Sequence, residues 1–263
     1  MPVSQANCVP MPADRGDITD DAILGGRLRL LQPRRGHRFG HDAVLLAAAV
    51  PARPGDRVVE FGCGVGAAGL ALHARVGGIA LVMLDIDPEL VGLAQENIAR
   101  NAIPTARAAA LDVTADDENF VAIGLHAGSA DCICMNPPFN IATHPASPDP
   151  RKRAAHLGAS GLLEQWSSRA AWLLKAGGTL TLIWRASEQG ELLRTLERHF
   201  GGLSVLPIHG KPGQPPVRII VRGEKAVPPS QIRMLSPLVL NDADGNPNAE
   251  AERIMRHMAA IQL

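Results

Sequence analysis

Tyrosine is absent from this chain, and all aromatic side chains together make up 3% of it. No site the protein builds therefore has a phenolic hydroxyl, and ring stacking falls to five phenylalanines and three tryptophans. Cysteine is also sparse. Cys8, Cys63, Cys132 and Cys134 form no C-x-x-C pair and have no histidines at metal-ligand spacing, so a metal site is not expected. They read as reduced structural thiols, which suits a cytoplasmic protein. No apolar run approaches the roughly 18 residues of a membrane span, and no basic-then-apolar leader opens the chain. A membrane partner is accordingly not expected. Net charge is absent too, with 26 Lys+Arg against 26 Asp+Glu. Binding of nucleic acid by bulk charge is thereby excluded, while a local basic face is not.

What is present is apolar side chain in runs of strand and helix length, 46% of the residues, which is ample for a core. Residues 1–16 show no periodicity and are expected to form a loose tail. Between Ala22 and His41 there is no acid but there are five arginines, Arg27, Arg29, Arg34, Arg35 and Arg38. Arg27-Leu28-Arg29-Leu30 alternates as a strand with one wet face does, and Gly36 is placed to turn it into a hairpin. Residues 43–50 read as a helix closed by Pro51 and Pro54, with Asp42 at the position of its N-cap.

From Gly55 onward strands and helices alternate. Strands are expected at 57–61, 79–84, 106–111, 132–135 and 179–184, with 203–208 and 217–221 closing as an antiparallel pair. Helices are expected from Gly66 to about Arg75, at 88–100 with proline in the first turn, at 160–175 and at 188–199. The pattern predicts an α/β fold with a doubly wound, mostly parallel, seven-stranded sheet whose last strand is antiparallel. The expected organisation is a tail, hairpin and helix over 1–54, a catalytic domain over 55–222 and an appended segment over 223–263, all in one globular unit.

The most informative stretch is Asp131 to Phe139. An apolar strand runs into Asn136-Pro137-Pro138-Phe139, where two prolines end the strand, remove two backbone donors and hold Asn136 extended at its tip. An amide oxygen, the Pro137 carbonyl and the Phe139 ring then lie within four residues, at a strand end of the kind where open α/β sheets bind ligands. Two acceptors and a ring suit a planar molecule bearing an NH2 group. A plain proline-rich loop is the alternative. Glu60 to Gly66 joins a strand to a helix through Gly62, Gly64 and Gly66, which allows close backbone approach and offers amide donors at a helix N-terminus. Gly62, Gly64 and Ala67 also fit the G-x-G-x-x-A dinucleotide fingerprint, with Asp85 placed to accept from a ribose. Asp112, at the end of the third strand, either completes a row of acids around one crevice or caps a turn.

In this order, the glycine turn, the two acidic strand ends and the Asn-Pro-Pro-Phe turn resemble the class I S-adenosylmethionine-dependent methyltransferases, a Rossmann-like fold, from about Arg38 to Val221. Within them the chain looks like the branch that methylates exocyclic or amide nitrogens. Thr19-Asp20-Asp21-Ala22 with Gly25-Gly26, and Phe39-Gly40-His41-Asp42-Ala43 with Leu45-Leu46, are similar to its small-domain bacterial members, which include an adenine-N6 methyltransferase of transfer RNA. The resemblance implies S-adenosylmethionine as cofactor, held by Glu60, Gly62, Gly64 and Gly66 at its methionine end, by Asp85 at the ribose and by Asp112 at the adenine amine. Asp42 is counted with these cofactor residues. Asn136, Pro137 and Phe139 are the implied catalytic grip on the target nitrogen, with N6 of adenine in tRNA as the expected acceptor. Arg34, Arg35, Arg38, Arg151, Lys152 and Arg153, with His156 nearby, are the implied contacts to RNA. The family's turn often carries tyrosine where this chain has Phe139, so stacking is kept and a hydroxyl contact is lost. A protein glutamine amide fits the same two acceptors, and a dinucleotide-dependent enzyme or a non-catalytic cofactor-binding module fits the glycine turn.

Overall fold

The computed structural model describes residues 17–35, 38–138 and 159–263. The chain enters as a hairpin, β1 (Ile18–Ile23) paired antiparallel with β2 (Leu28–Pro33). The turn expected at Gly36 lies outside the described residues, and β2 pairs backward in sequence instead. Leu24-Gly25-Gly26 makes that reversal, with both glycines at positive φ, a region glycine enters without penalty. Leu28 and Leu30 are buried and Arg29 is exposed, so the alternation predicted for this strand holds. Helix α1 (His41–Ala49) follows.

Seven strands form the main sheet. They are β3 (Arg57–Phe61), β4 (Ala80–Asp85), β5 (Ala106–Ala110), β6 (Ala130–Met135), β7 (Leu174–Arg185), β8 (Phe200–His209) and β9 (Pro216–Lys225), in the order β8-β9-β7-β6-β3-β4-β5. β9 alone of these runs antiparallel, between β7 and β8. Two short strands, β10 (Arg233–Met234) and β11 (Leu238–Val239), add in parallel to β8, bringing the expected seven to nine. Each central strand is apolar on both faces, as a sheet covered by helices on both sides requires. Val58, Leu81, Met83, Cys132 and Cys134 face α1, α2 (Ala67–Val76) and α3 (Pro88–Arg100). Val59, Phe61, Val82, Ile133 and Met135 face α4 (Asp117–Ala122), α5 (Ala159–Leu173) and α6 (Gln189–Leu196).

Two expectations are corrected. Gly177 and Gly178 do not end a helix in a loop but lie inside β7, which begins at Leu174 and carries an irregularity against β6 between Ala130 and Cys132. The helix expected over 188–199 is α6 alone, because a short 3-10 turn precedes it and β8 takes over at Phe200.

α1 is buried at every position from Ala43 to Ala49, the pattern of a helix enclosed on all sides. Its last carbonyls are paired from elsewhere in the chain. Arg75 donates to Ala47 O and Val50 O, Ile261 N to Ala48 O, and Arg222 to Ala49 O. Helix α7 (Ala249–His257) packs on α1 and on the hairpin turn, so the C-terminal segment completes this cover. Among the described residues no helix is long and apolar enough to cross a membrane.

Gly69, inside α2, shows how closely the layers meet. A Cβ there would lie 2.5 Å from the Glu60 carboxylate and 2.9 Å from Met83 Sδ. Alanine would gain about 1 kcal/mol of helix propensity, but overpacking a filled core costs about 1–3 kcal/mol. Gly69→Ala is therefore expected to be destabilising, read as a lower urea midpoint at unchanged m-value.

Candidate active site

The strand order reverses between β3 and β6: β4 and β5 lie on one side of β3, β6 and β7 on the other. This is the switch point at which open α/β sheets bind ligands, at the carboxyl ends of the strands. Phe61 is in register with Leu84 on one side and Met135 on the other. The residues that follow, Gly62, Asp85 and Asn136, therefore leave the sheet side by side, on strands about 4.8 Å apart.

The turn after β3 needs its glycines. Gly62, Gly64 and Gly66 all have positive φ, and a Cβ at Gly62 would meet the Trp166 ring of α5 at 2.8 Å. Gly64 instead faces open space among the described residues, with none of their heavy atoms within 4 Å of where a Cβ would stand. Gly66 is the N-cap of α2 and has no side chain of its own to bond the first amides of that helix. Two carboxylates hold the turn from the sheet. Asp85 accepts from Gly64 N at 2.7 Å and from Asp87 N at 3.0 Å, while Cys63 N donates to Leu84 O at 2.9 Å. Glu60 accepts from Gly69 N, in the first turn of α2, at 2.8 Å.

Glu60 is 3% exposed. Burial pushes its carboxyl up to about 8; the Gly69 amide works against this and the nearby Asp85 charge adds to it. Burial likewise raises the thiols of Cys63 and Cys134, which fits unreactive core cysteines.

β6 bounds the crevice on the other side of β3. Asn136 is half-buried, and its Oδ1 is enclosed without a hydrogen-bond partner among the described residues. Pro137 after it is buried. Phe139 lies outside the described residues, as do Arg151, Lys152, Arg153 and His156. On the far side of β4, β5 ends at Ala110, and Asp112 accepts from both the amide and the hydroxyl of Thr114 at 2.8 Å. Asp112 therefore caps a turn at the rim.

The structure does not gather every predicted residue at the turn. Asp42 is not an N-cap: Gly40 holds that position in extended conformation, and Asp42 pairs instead with Arg218 of β9 at 2.8 Å. Arg38 donates to Asp21 at 2.9 Å, and the same carboxylate accepts from Thr19 Oγ1 and Gln32 Nε2. Those bonds, from Thr19 and Gln32 first, hold the Asp21 carboxyl below its usual range. Gln32 Oε1 in turn accepts from Phe39 N. The two N-terminal motifs are thus one hydrogen-bonded junction. Arg34 and Arg35 are exposed beyond the end of β2.

Ile86 escaped the sequence reading. It is 69% exposed between Asp85 and Asp87, an apolar side chain at the mouth of the crevice. An isolated apolar residue between two aspartates, where a strand leaves the sheet, was the available signal.

A family described as the methyltransferase small domain matches residues 37–211. The chain belongs to that family. Its members use S-adenosylmethionine, which sets aside the dinucleotide reading of the glycine turn. Among curated relatives, the tRNA1(Val) (adenine(37)-N6)-methyltransferase of Bacteroides fragilis is 26% identical over 186 residues, 70% of this chain and 76% of the relative. The ribosomal RNA small subunit methyltransferase C of Pseudomonas aeruginosa is 28% identical over 166 residues, 62% of this chain. The chain spans less than half of that relative, 42%. A crystal structure described as a predicted O-methyltransferase from Agrobacterium tumefaciens superposes with a TM-score of 0.68 at 26% identity, over 84% of this chain and 99% of that one. The residues at this crevice fit S-adenosylmethionine. Gly64 leaves open space beside the Asp85 carboxylate, Ile86 offers an apolar surface, and the Asn136 oxygen is unpartnered among the described residues.

A carboxyl with a raised folded-state pKa binds more protons folded than unfolded, so its contribution to stability falls as pH rises. For Glu60 that contribution is complete below the ordinary value of 4.5 and is lost as pH climbs through about 8. Glu60→Gln should remove this slope, at most about 1.4 kcal/mol per pH unit. Urea unfolding of both proteins between pH 5 and pH 8 measures the difference.

Proposed function

We propose that the protein transfers the methyl group of S-adenosylmethionine to an exocyclic amino nitrogen, N6 of an adenine in transfer RNA. The observation that carries this reading is the Asn136 amide oxygen, enclosed and unpartnered among the described residues, one strand from the glycine turn at the switch point. Leaving such an acceptor unpaired costs about 1–3 kcal/mol, which an incoming N–H would offset. The match to the tRNA1(Val) enzyme over 76% of its length supports adenine in tRNA over the ribosomal substrate of the longer relatives.

When bound, S-adenosylmethionine supplies an electrophilic methyl group on a sulfonium. The chain's part is to orient the nucleophile. An exocyclic amine is weakly nucleophilic because its lone pair is delocalised into the ring. With one N–H donated to Asn136 Oδ1 and the other to the Pro137 carbonyl, that lone pair is turned out of the ring plane toward the methyl. In-line placement of this kind contributes on the order of 7 kcal/mol. Transfer would form the N–C bond as the sulfonium C–S bond breaks, one amine proton would leave to water, and no strong base would be required. Phe139 stacks on the base once the nucleotide is turned out of its helix.

The Gly62–Gly66 turn holds the methionine end of the cofactor, and Glu60 acts through it by anchoring α2. Asp85 takes the ribose, Asp112 the adenine amine, and Ile86 covers the adenine face. Asp42 has a second carboxylate oxygen beyond its bond to Arg218 and is assigned to the cofactor side. Arg34, Arg35, Arg38, Arg151, Lys152 and Arg153 are assigned to the RNA, Arg38 through what its bond to Asp21 leaves open.

Asn136→Ala should leave S-adenosylmethionine affinity within about twofold while transfer falls by about a hundredfold or more, the scale for losing one group aimed at a transition state. Asp85→Ala should weaken cofactor binding by about tenfold, roughly 1.4 kcal/mol. Calorimetry and labelled-methyl transfer to total tRNA measure the two, and nuclease digestion with mass spectrometry should yield N6-methyladenosine. Near-normal turnover by Asn136→Ala would sink the proposed grip. Label found on protein glutamine rather than RNA would move the assignment to the amide reading.

A further inference from the structure

Asn97 sits in α3 with no exposed surface, and every hydrogen of its amide is used. Its Oδ1 accepts from Leu31 N at 2.7 Å and its Nδ2 donates to Leu31 O at 2.9 Å. That is the two-bond exchange a neighbouring strand would make with Leu31. The second Nδ2 hydrogen goes to Val65 O, at 3.0 Å, in the middle of the glycine turn. One helical turn later Asn101 repeats the strand-like pattern, accepting from Arg29 N at 3.1 Å and donating to Arg29 O at 2.8 Å. The match is geometric: four helical residues rise about 6 Å, and two strand residues span about 6.8 Å. α3 and its C-cap thus offer two asparagines as a substitute third strand for the hairpin, and among the described residues Asn97 is the one of the two that bonds the turn.

We infer that Asn97 is a positioning residue of the cofactor site, joining the N-terminal hairpin and the Gly62–Gly66 turn into one mechanical unit. The inference rests on the reading of that turn as the seat of S-adenosylmethionine. On its β4 side the turn is tied through Gly64 N and Cys63 N. Toward α3 the tie is the Val65 carbonyl, and three glycines at positive φ give the turn little stiffness of its own. Removing the Asn97 amide leaves Val65 O and both main-chain groups of Leu31 without this partner, in a buried junction where unmade hydrogen bonds are costly. Removing the Asn101 amide loosens the hairpin and leaves the turn tied.

The test compares Asn97→Ala with Asn101→Ala in the full chain. Both should unfold at lower urea. Asn97→Ala alone should lose S-adenosylmethionine affinity by about tenfold, with kcat at saturating cofactor within about threefold, a loss of binding separated from chemistry. In the free protein, amide hydrogen exchange at Gly64 and Gly66 should speed up by about tenfold in Asn97→Ala and stay unchanged in Asn101→Ala. Asn97→Ser, also neutral and smaller than asparagine, should show the same contrast and replaces the alanine variant if that one does not fold. Equal affinity losses in the two variants, or unchanged exchange at the turn, would overturn the inference. A wild-type protein that binds no S-adenosylmethionine would defeat the cofactor reading, and the exchange comparison would still decide the coupling.

Discussion

The site depends on one constraint: β3 and β4 are parallel and in register, so Asp85 ties the turn that follows β3 while Glu60 ties the helix that follows the turn. Glu60 reaches into α2 and bonds the amide of Gly69, while Asp85 reaches over the sheet edge to the amide of Gly64. Between those two bonds the chain must reverse within a few residues, which positive φ at Gly62, Gly64 and Gly66 permits. The same demand explains Gly69. A helix interior ordinarily disfavours glycine, but here any side chain would displace the carboxylate that anchors the helix.

Around this turn the rest of the chain acts as support. α1 is apolar on all sides and is enclosed by the hairpin turn, α2, α7 and the C-terminal residues. Its terminal carbonyls are taken by Arg75, Arg222 and Ile261, groups far apart in sequence. The hairpin meets α3 through side-chain amides, since α3 offers no strand edge to pair with. An edge strand with open N–H and C=O groups is prone to pairing with other chains, and Asn97 and Asn101 partly close that edge.

Much of the fold was legible because burial on both faces writes strands as uninterrupted apolar runs. β3, β4, β6 and the proline-led α3 lie within about two residues of where the sequence placed them, the usual uncertainty of an element boundary. The misses share one cause. Gly177-Gly178 reads locally as a helix stop, and only the pairing of β7 with β6 and β9 draws it into a strand. Asp42 has the composition and position of a cap, yet the partner it bonds, Arg218, stands 176 residues away. Arg38 looks like a free phosphate ligand until Asp21 is brought beside it.

The sequence by itself determined the chemistry on offer. Three glycines follow a strand, acids end two more, and an asparagine is locked ahead of two prolines, because these depend on backbone sterics and local order alone. Only the tertiary structure decided how those groups are used. Strand order brings Asn136 beside Gly62 across the switch point, burial raises the pKa of Glu60, and Ile86 is left bare beside Asp85. Asn97 reads in the sequence as one polar residue on a helix. Which backbone it meets depends on contacts 32 and 66 residues distant along the chain, and no local pattern encodes those.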